Sequence, residues 1–351
     1  MDKSKVSQFA EQVFKDLAGT MTAGLAYLGV KTGLFSTMAG KGAMTLDQVV
    51  EASGLQPRYV EEWLAGMVSA GYLDYDPDGL TYTLPEEHAY LLASEGTDHF
   101  VGGLYYAMPA MLSVAPKVAR SFREGGGVRF DDFPEENLVA LDLINRGAYE
   151  HRLVHPWLEE IPEAVAALSN GGRALDVGCG VGKVSITLAK AFPSASFVGV
   201  DTHAASIARA QESAQAEGVA SQVSFVAGTL DALPTGDRFD LITACDCIHD
   251  FAEPEATLGR IRDRLQPGGT LFVIEPKVAD ELENNRNPIA TLFYGFSVFH
   301  CMTQSLANGG PGLGTCLGPA RTEALLRSAG FSEFRPLPIK SHVNLFYAVK
   351  G

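Results

Sequence analysis

The sequence predicts an α/β protein with a doubly wound, mostly parallel sheet in its C-terminal half and a mainly helical N-terminal domain. Strand-like and helix-like segments alternate between residues 171 and 276, which favours a parallel sheet with right-handed crossovers. One of these strands runs straight into a glycine-rich turn. The length of 351 residues exceeds what a single core usually holds, so we expect two domains.

The first domain, residues 1–95, is predicted to be a winged helix. Residues 7–40 carry apolar side chains every fourth position, as a helix does. Two more helices follow, the second starting at Pro57. Residues 72–84 then form a hairpin with an Asp-Pro-Asp-Gly turn. This pattern raises the hypothesis of a DNA-binding regulator.

Charge argues against that hypothesis. The formal net charge of −15 repels a phosphate backbone or an anionic membrane. The second helix offers only Arg58 against Glu61 and Glu62, and lacks the residues that read base edges. We therefore expect no nucleic-acid or membrane partner. An amphipathic helix at a chain end usually docks on a core or on a second subunit, and we expect a homodimer through the N-terminal helices.

The five cysteines are odd in number and widely spread, which suits reduced thiols in the cytoplasm. Residues 1–10 lack the apolar core of a signal peptide, and no run reaches the ~18 apolar residues of a spanning helix. Cys245 and Cys247 should share one strand face, but no second close pair completes a zinc site. We expect a cytoplasmic protein without a bound metal.

Residues 96–170 are predicted to be a helical linker that also covers part of the second domain. They are rich in aromatic side chains, most of which we expect in the core. Tyr106 and Tyr149 are the first candidates to line a ligand pocket, because this segment leads directly into the first strand of the second domain.

Residues 174–182 (ALDVGCGVG) combine a buried strand, an acid and a glycine turn. The glycines follow G-x-G-x-G, whereas a dinucleotide site uses G-x-G-x-x-G. The carboxylate of Asp176 would repel a diphosphate. This pattern favours a bound nucleoside that carries a cation.

The motif D-x-G-x-G-x-G after an apolar strand resembles the first motif of class I S-adenosylmethionine-dependent methyltransferases. Three later segments resemble that family in the same order: 197–201, 238–250 and 265–276. The resemblance implies a seven-stranded Rossmann-like sheet over residues 171–351, behind a winged-helix domain. It also implies that S-adenosylmethionine is the cofactor, that S-adenosylhomocysteine is its product, and that a methyl group passes in line to a small organic acceptor.

The resemblance also assigns cofactor-binding positions. Asp176 would hold the methionine part, and Asp201 would accept the ribose hydroxyls. The family often has an acid at the position of Thr229 to meet the adenine amine, so that contact stays open between Asp231 and a backbone group. The full cofactor set is Asp176, Gly178, Cys179, Gly180, Gly182, Asp201, Thr202, Thr229, Leu230, Asp231, Cys245 and Asp246.

His249 and Asp250 are the candidate catalytic residues, on the loop after the fourth strand. An imidazole near neutrality can take the proton of a hydroxyl or thiol acceptor. The alternative is structural, with His249 as the N-cap or first-turn residue of the next helix.

The insertion at residues 284–318 is rich in aromatics and glycine, which suits a mobile lid over an apolar substrate. The alternative is a helix pair that only fills a domain interface. Oxygen is the acceptor atom we expect first, with sulfur or nitrogen as alternatives, and a cofactor-binding regulator without catalysis also stays open. The candidate substrate-binding residues are Tyr106, Tyr149, Phe293, Phe296, His300 and Cys301.

Overall fold

The computed structural model describes all 351 residues, which divide into two compact units. The first comprises Met1–Ala110 and Val139–Ala148, and the second comprises Met111–Leu138 and Tyr149–Gly351. The segment expected as a linker, residues 96–170, is thus shared between the units. None of the helices combines the length and apolar character that a membrane crossing requires.

The first unit contains the predicted winged helix. Thr45 caps the first of its two central helices, with its hydroxyl accepting from the Gln48 amide and the Gln48 side chain accepting from the Thr45 amide. The strands form an antiparallel sheet in the order β1-β3-β2. Its elements are α1 (Lys3–Lys31), α2 (Leu34–Met38), β1 (Met44–Thr45), α3 (Leu46–Ser53), α4 (Pro57–Ser69), β2 (Asp74–Asp76), β3 (Thr81–Thr83) and α5 (Glu86–Leu92).

The second unit is built on a seven-stranded sheet in the order β6-β5-β4-β7-β8-β10-β9. The first five strands in that order run parallel, and β10 pairs antiparallel with both β8 and β9. This confirms the predicted doubly wound, mostly parallel sheet. The strands are β4 (Arg173–Val177), β5 (Ser196–Asp201), β6 (Val223–Ala227), β7 (Phe239–Cys245), β8 (Leu265–Pro276), β9 (Glu333–Pro336) and β10 (Asn344–Lys350).

The topology brings the candidate motifs to one rim of this sheet. Strand β4 lies between β5 and β7, so the order reverses there, and ligands of such sheets bind at the carboxyl ends beside the reversal. The remaining helices are α6 (Gly102–Ser113), α7 (Ala115–Glu124), α8 (Glu136–Arg152), α9 (Pro162–Ser169), α10 (Lys183–Ala191), α11 (Ala204–Ala216), α12 (Pro254–Asp263), α13 (Pro288–Phe296), α14 (Met302–Ala307) and α15 (Pro319–Ser328).

Two local features of the second unit bear on the site. Strand β7 ends at Cys245, and Asp246 adopts a φ of +53°, so the backbone turns there. The expectation that Cys245 and Cys247 share a strand face is therefore wrong. Within the insertion, α13, a π-helical turn (Ser297–Cys301) and α14 form one continuous helical run.

Candidate active site

Asp176 lies near the carboxyl end of β4 and is only 4% exposed. One carboxylate oxygen accepts from the Thr243 hydroxyl at 2.7 Å, and the other accepts from the Ser185 hydroxyl at 3.1 Å. Burial raises the pKa of Asp176 to about 7, against the opposing effect of these two donors. A buried carboxyl in this state is stabilised in its charged form by a nearby cation.

The glycine turn after β4 leaves one side open. Gly178, Gly180 and Gly182 have φ values of +67°, +52° and +79°, a region that favours glycine. A Cβ on Gly182 would lie 2.5 Å from the ring of Phe225, so that position needs glycine for packing. A Cβ on Gly180 would meet no atom within 4 Å, and this is the side where a ligand can approach the backbone.

Asp201 ends β5 and is held in place by backbone donors. One of its oxygens accepts from the Gly180 amide at 2.9 Å, and the other accepts from the His203 amide at 2.8 Å. Each carboxylate oxygen has two lone pairs, so both keep acceptor capacity for hydroxyl groups. The half-buried carboxylate is therefore oriented before any ligand binds, with exposed Thr202 beside it.

Other predicted cofactor positions differ in exposure. Cys179 is buried, and burial raises the pKa of its thiol well above the usual range, as for a packed apolar residue. Leu230 is buried in the sheet core. Thr229 and Asp231 are exposed, and the Asp231 carboxylate lies 3.5 Å from Arg260. The adenine contact therefore stays a prediction.

Asp246 follows β7 at the positive φ noted above, and its amide donates to the Ile274 carbonyl at 2.9 Å. Burial raises its pKa to about 7, and the charge of Glu275 adds to that shift. A hydrogen bond from Tyr149 acts in the opposite direction. The structure thus brings Tyr149, which is 8% exposed, to the same rim. Half-buried Cys245 precedes Asp246, and burial raises the pKa of its thiol well above the usual range.

His249 and Glu275 form a buried pair at the ends of β7 and β8. His249 Nδ1 lies 2.6 Å from one Glu275 carboxylate oxygen, and the other oxygen accepts from the Ile248 amide at 3.1 Å. The two side chains are 3% and 2% exposed. His249 belongs to a 3-10 helix, Ile248–Asp250, and α12 begins only at Pro254, so it is not the N-cap of that helix.

The environment makes His249 more basic. Burial, the largest single effect, lowers its pKa, but the charges of Glu275, Asp250 and Cys301 together raise it well above the usual range. The raised pKa favours the protonated ring, and in the neutral ring with Nδ1–H donating to Glu275 the lone pair is on Nε2, which lies 3.7 Å from Asp250 Oδ1. Burial also raises the pKa of Asp250, while His249 lowers it.

His300 of the insertion packs against two aromatic rings from outside the insertion and lies within electrostatic reach of His249. His300 is buried, its Nε2 lies 3.2 Å from Asn137 Nδ2, and burial lowers its pKa to about 4, so the ring is neutral. The ring centroids of Phe130 and Phe133 lie 5.8 and 5.1 Å from that of His300. Cys301 Sγ lies 3.7 Å from His300 Nδ1.

The three remaining predicted substrate-binding residues are Phe293, Phe296 and Tyr106. Phe293 and Phe296 are half-buried on α13. Tyr106 belongs to the first unit, where Lys31 donates to its hydroxyl and its ring contacts Tyr27 edge to face.

Sequence reasoning missed Glu275 and Asn137. Glu275 had a usable signal, because it is an acid at the end of an apolar strand, on the same rim as Asp176 and Asp201. Asn137 had no such sequence signal, because α8 and the insertion come together only in the folded chain.

Comparison with protein families gives the same two parts. Residues 168–305 match the model of a methyltransferase domain, and residues 20–94 match that of an Rv2258c-like winged HTH domain. The chain therefore carries a methyltransferase domain over residues 168–305, preceded by a winged HTH domain over residues 20–94. The resemblance drawn from the sequence is confirmed at this level.

Solved structures share the fold of this chain over nearly its full length. An O-methyltransferase family protein from Burkholderia thailandensis is 15% identical, with a TM-score of 0.68 over 100% of this chain and 98% of that one. Human N-acetylserotonin methyltransferase, solved with SAM, is 22% identical, with a TM-score of 0.65 over 97% of this chain and 98% of that one.

Curated relatives match the methyltransferase part only. Demethylmenaquinone methyltransferase of Thermus thermophilus is 34% identical over 142 residues, which is 38% of this chain and 60% of that protein. Sterol 24-C-methyltransferase of Aspergillus fumigatus is 31% identical over 141 residues, 40% of this chain and 34% of that protein. The matches thus span less than two thirds of these relatives.

Proposed function

We propose that this chain transfers a methyl group from S-adenosylmethionine to a small organic acceptor, with oxygen as the first choice of acceptor atom. The observation that carries the proposal is the buried pair of His249 and Glu275, 2.6 Å apart, on the same sheet rim as the glycine turn. A proton acceptor and a cofactor cradle at one rim are what methyl transfer to a hydroxyl needs.

The residues at the glycine turn fit S-adenosylmethionine. The buried carboxyl of Asp176 favours a cationic ligand, and the open side of Gly180 admits close backbone contact. Asp201 retains acceptor capacity for the two ribose hydroxyls. When bound, the cofactor supplies an electrophilic methyl group on a sulfonium and leaves as S-adenosylhomocysteine.

His249 acts as the general base in this proposal. In the neutral form of the ring, Nε2 takes the proton of the acceptor hydroxyl as the oxygen attacks the methyl carbon. Glu275 is a positioning residue, because it fixes the ring through Nδ1 and stabilises the imidazolium that forms. Asp250, 3.7 Å from Nε2, adds negative charge beside that imidazolium.

The acceptor is proposed to be neutral and largely apolar. The cluster of Phe130, Phe133 and neutral His300 offers rings and no cation. Phe293 and Phe296 add to it if residues 284–318 close as a lid. A cytoplasmic location agrees with five free cysteines.

We also propose a homodimer through α1. Four of its apolar side chains lie at spacings of four, on one face, and are exposed, with Phe9 and Met21 each 69% exposed. A contiguous exposed apolar face on a helix is usually covered in solution, and a second copy of the chain can cover it symmetrically.

The test begins with a screen of labelled methyl transfer from S-adenosylmethionine into small phenols, alcohols, thiols and amines. With an acceptor in hand, His249→Ala should lower kcat by about 10²- to 10⁴-fold and leave S-adenosylhomocysteine affinity unchanged. His155→Ala is the matched control, since that histidine is 76% exposed, and it should keep full activity. Unchanged turnover in His249→Ala would remove the base assignment.

A further inference from the structure

Three possible metal ligands converge in the second unit. His249, Asp250 and Cys301 each offer one ligand atom, and these atoms all lie within 4.8 Å of one another. The first two come from the 3-10 helix after β7, and Cys301 ends the π-helical turn of the insertion. The sequence alone did not indicate this cluster, because Cys301 comes from a distant element.

His249 is oriented as a metal-ligating histidine would be. Its Nδ1 is held by the Glu275 carboxylate at 2.6 Å, which leaves Nε2 facing Asp250 Oδ1 at 3.7 Å. A histidine that binds a metal through one nitrogen usually donates the other N–H to a carboxylate, which fixes both its tautomer and its ring orientation. Glu275 supplies that support here.

The Asp250 side chain is half-buried, and its Oδ1 atom has no hydrogen-bond partner within 3.5 Å, only the longer contact of 3.7 Å with His249 Nε2. An unsatisfied buried oxygen costs free energy, and its presence in a folded protein calls for an explanation. A bound cation would provide the missing partner.

The spacing suits a thiophilic divalent ion. Zinc bond lengths in a tetrahedral site place its nitrogen, oxygen and sulfur ligands roughly 3.3–3.6 Å apart. The 3.7 Å between Nε2 and Oδ1 is already close to that value. No separation exceeds 4.8 Å, so the contraction needed is roughly 1 Å at most, which side-chain rotation can supply.

We propose that His249 Nε2, Asp250 Oδ1 and Cys301 Sγ bind a divalent thiophilic cation such as Zn²⁺, with a fourth position left open. On binding, the Cys301 thiol loses its proton to solvent and the thiolate bonds the metal, so no electron is transferred. Three protein ligands with one open position match the arrangement of zinc sites that accept an outside ligand.

Occupation of this site has a consequence that rests on the proposed function. The metal takes the Nε2 lone pair that accepts the acceptor's proton, so a loaded chain should lose methyl transfer while its glycine turn still binds S-adenosylhomocysteine. The metal-binding claim itself does not depend on turnover.

The test is a Co²⁺ titration of the full chain after removal of bound metals with a chelator. We expect one Co²⁺ per chain, with the visible bands of a tetrahedral site and a thiolate-to-cobalt charge-transfer band in the near ultraviolet. Glu275→Gln should weaken binding by roughly 10- to 100-fold, and Cys301→Ser should weaken it at least as much and abolish the charge-transfer band.

Cys316→Ser is the matched control, since that half-buried cysteine lies outside the cluster. It should keep both the bands and a rise in Tm with Zn²⁺ that Cys301→Ser lacks. The proposal is overturned if wild type gives no charge-transfer band, or if the band survives in Cys301→Ser. S-adenosylhomocysteine calorimetry on the same samples tests the cofactor site separately, so failure of one claim is distinguishable from failure of the other.

Discussion

Two carboxyl groups, those of Asp176 and Asp201, determine the chemistry of the proposed cofactor site. Asp176 is enclosed by the hydroxyls of Thr243 and Ser185, while Asp201 is oriented by two backbone amides. The first is therefore kept partly protonated by burial, and the second is ready to accept hydroxyl groups. Residue type was predictable at both positions, but the hydroxyl partners of Asp176 come from β7 and α10 and had no pattern of their own.

Asp176 should make the free energy of unfolding depend on pH. Its folded-state pKa of about 7 lies above the ordinary 3.8, so the folded state binds this proton more tightly than the unfolded state. Its contribution to the free energy of unfolding therefore falls as pH rises from about 4 to about 7. Asp176→Asn has no carboxyl group to deprotonate, so its free energy of unfolding should not fall for this reason.

We expect the free energy of unfolding of Asp176→Asn minus that of wild type to grow across this window, by roughly 4 kcal/mol at most. Urea unfolding of both chains between pH 4 and pH 8, without cofactor, measures the difference. A difference that does not change with pH would contradict the burial argument. The same variant should bind S-adenosylmethionine more weakly, because it lacks the negative charge.

Among the structural elements, the glycine turn after β4 and helix α1 give the clearest testable predictions. The turn after β4 needs glycine at two positions for different reasons, since Gly182 faces the Phe225 ring and Gly180 faces open space. Helix α1 presents its apolar face outward. Both elements were located from sequence pattern, but their surroundings were not.

Gly182→Ala and Gly180→Ala should separate stability from cofactor binding. Both changes strain a positive φ, but only the first also forces a Cβ into an aromatic ring at 2.5 Å. We expect Gly182→Ala to lose roughly 1–3 kcal/mol more unfolding free energy than Gly180→Ala. We expect Gly180→Ala to stay folded yet bind S-adenosylhomocysteine more weakly. Denaturant unfolding and calorimetry measure the two effects, and equal stability losses would contradict this account of the turn.

The dimer proposal is tested on α1. Phe9→Asp combined with Leu17→Asp places two charges on the apolar face, so we expect a monomer by light scattering coupled to gel filtration. Tyr59→Asp is the matched control, because Tyr59 is 81% exposed and belongs to α4 rather than to α1. It should remain dimeric. A wild-type monomer at all concentrations would end the proposal.

The elements of the second unit could be predicted from the sequence. Segments with strand periodicity alternate there with segments with helix periodicity, and clear turn residues separate them. The winged helix followed for the same reason, from Thr45, Pro57 and the hairpin turn. The acceptor side did not follow, because it is assembled from residues that are far apart in the chain. Glu275, Asn137 and Cys301 reach it from β8, α8 and the insertion.

For the whole molecule, charge and composition limit the partners. The net charge of −15 disfavours polyanions, and Arg58 of the winged helix is paired with Glu61 and Glu62. A winged helix in this chain is therefore better suited to contacts with a second copy than to DNA. The central proposal is that the second unit holds the cofactor cradle and the base on one sheet rim.

Crystals grown with S-adenosylhomocysteine test that claim most directly. We predict that the ligand lies beside Gly180, with its ribose hydroxyls on Asp201 and its sulfur on the side of the cleft that faces His249. A cleft that stays empty at saturating ligand, or a sulfur that points away from His249, would contradict the account.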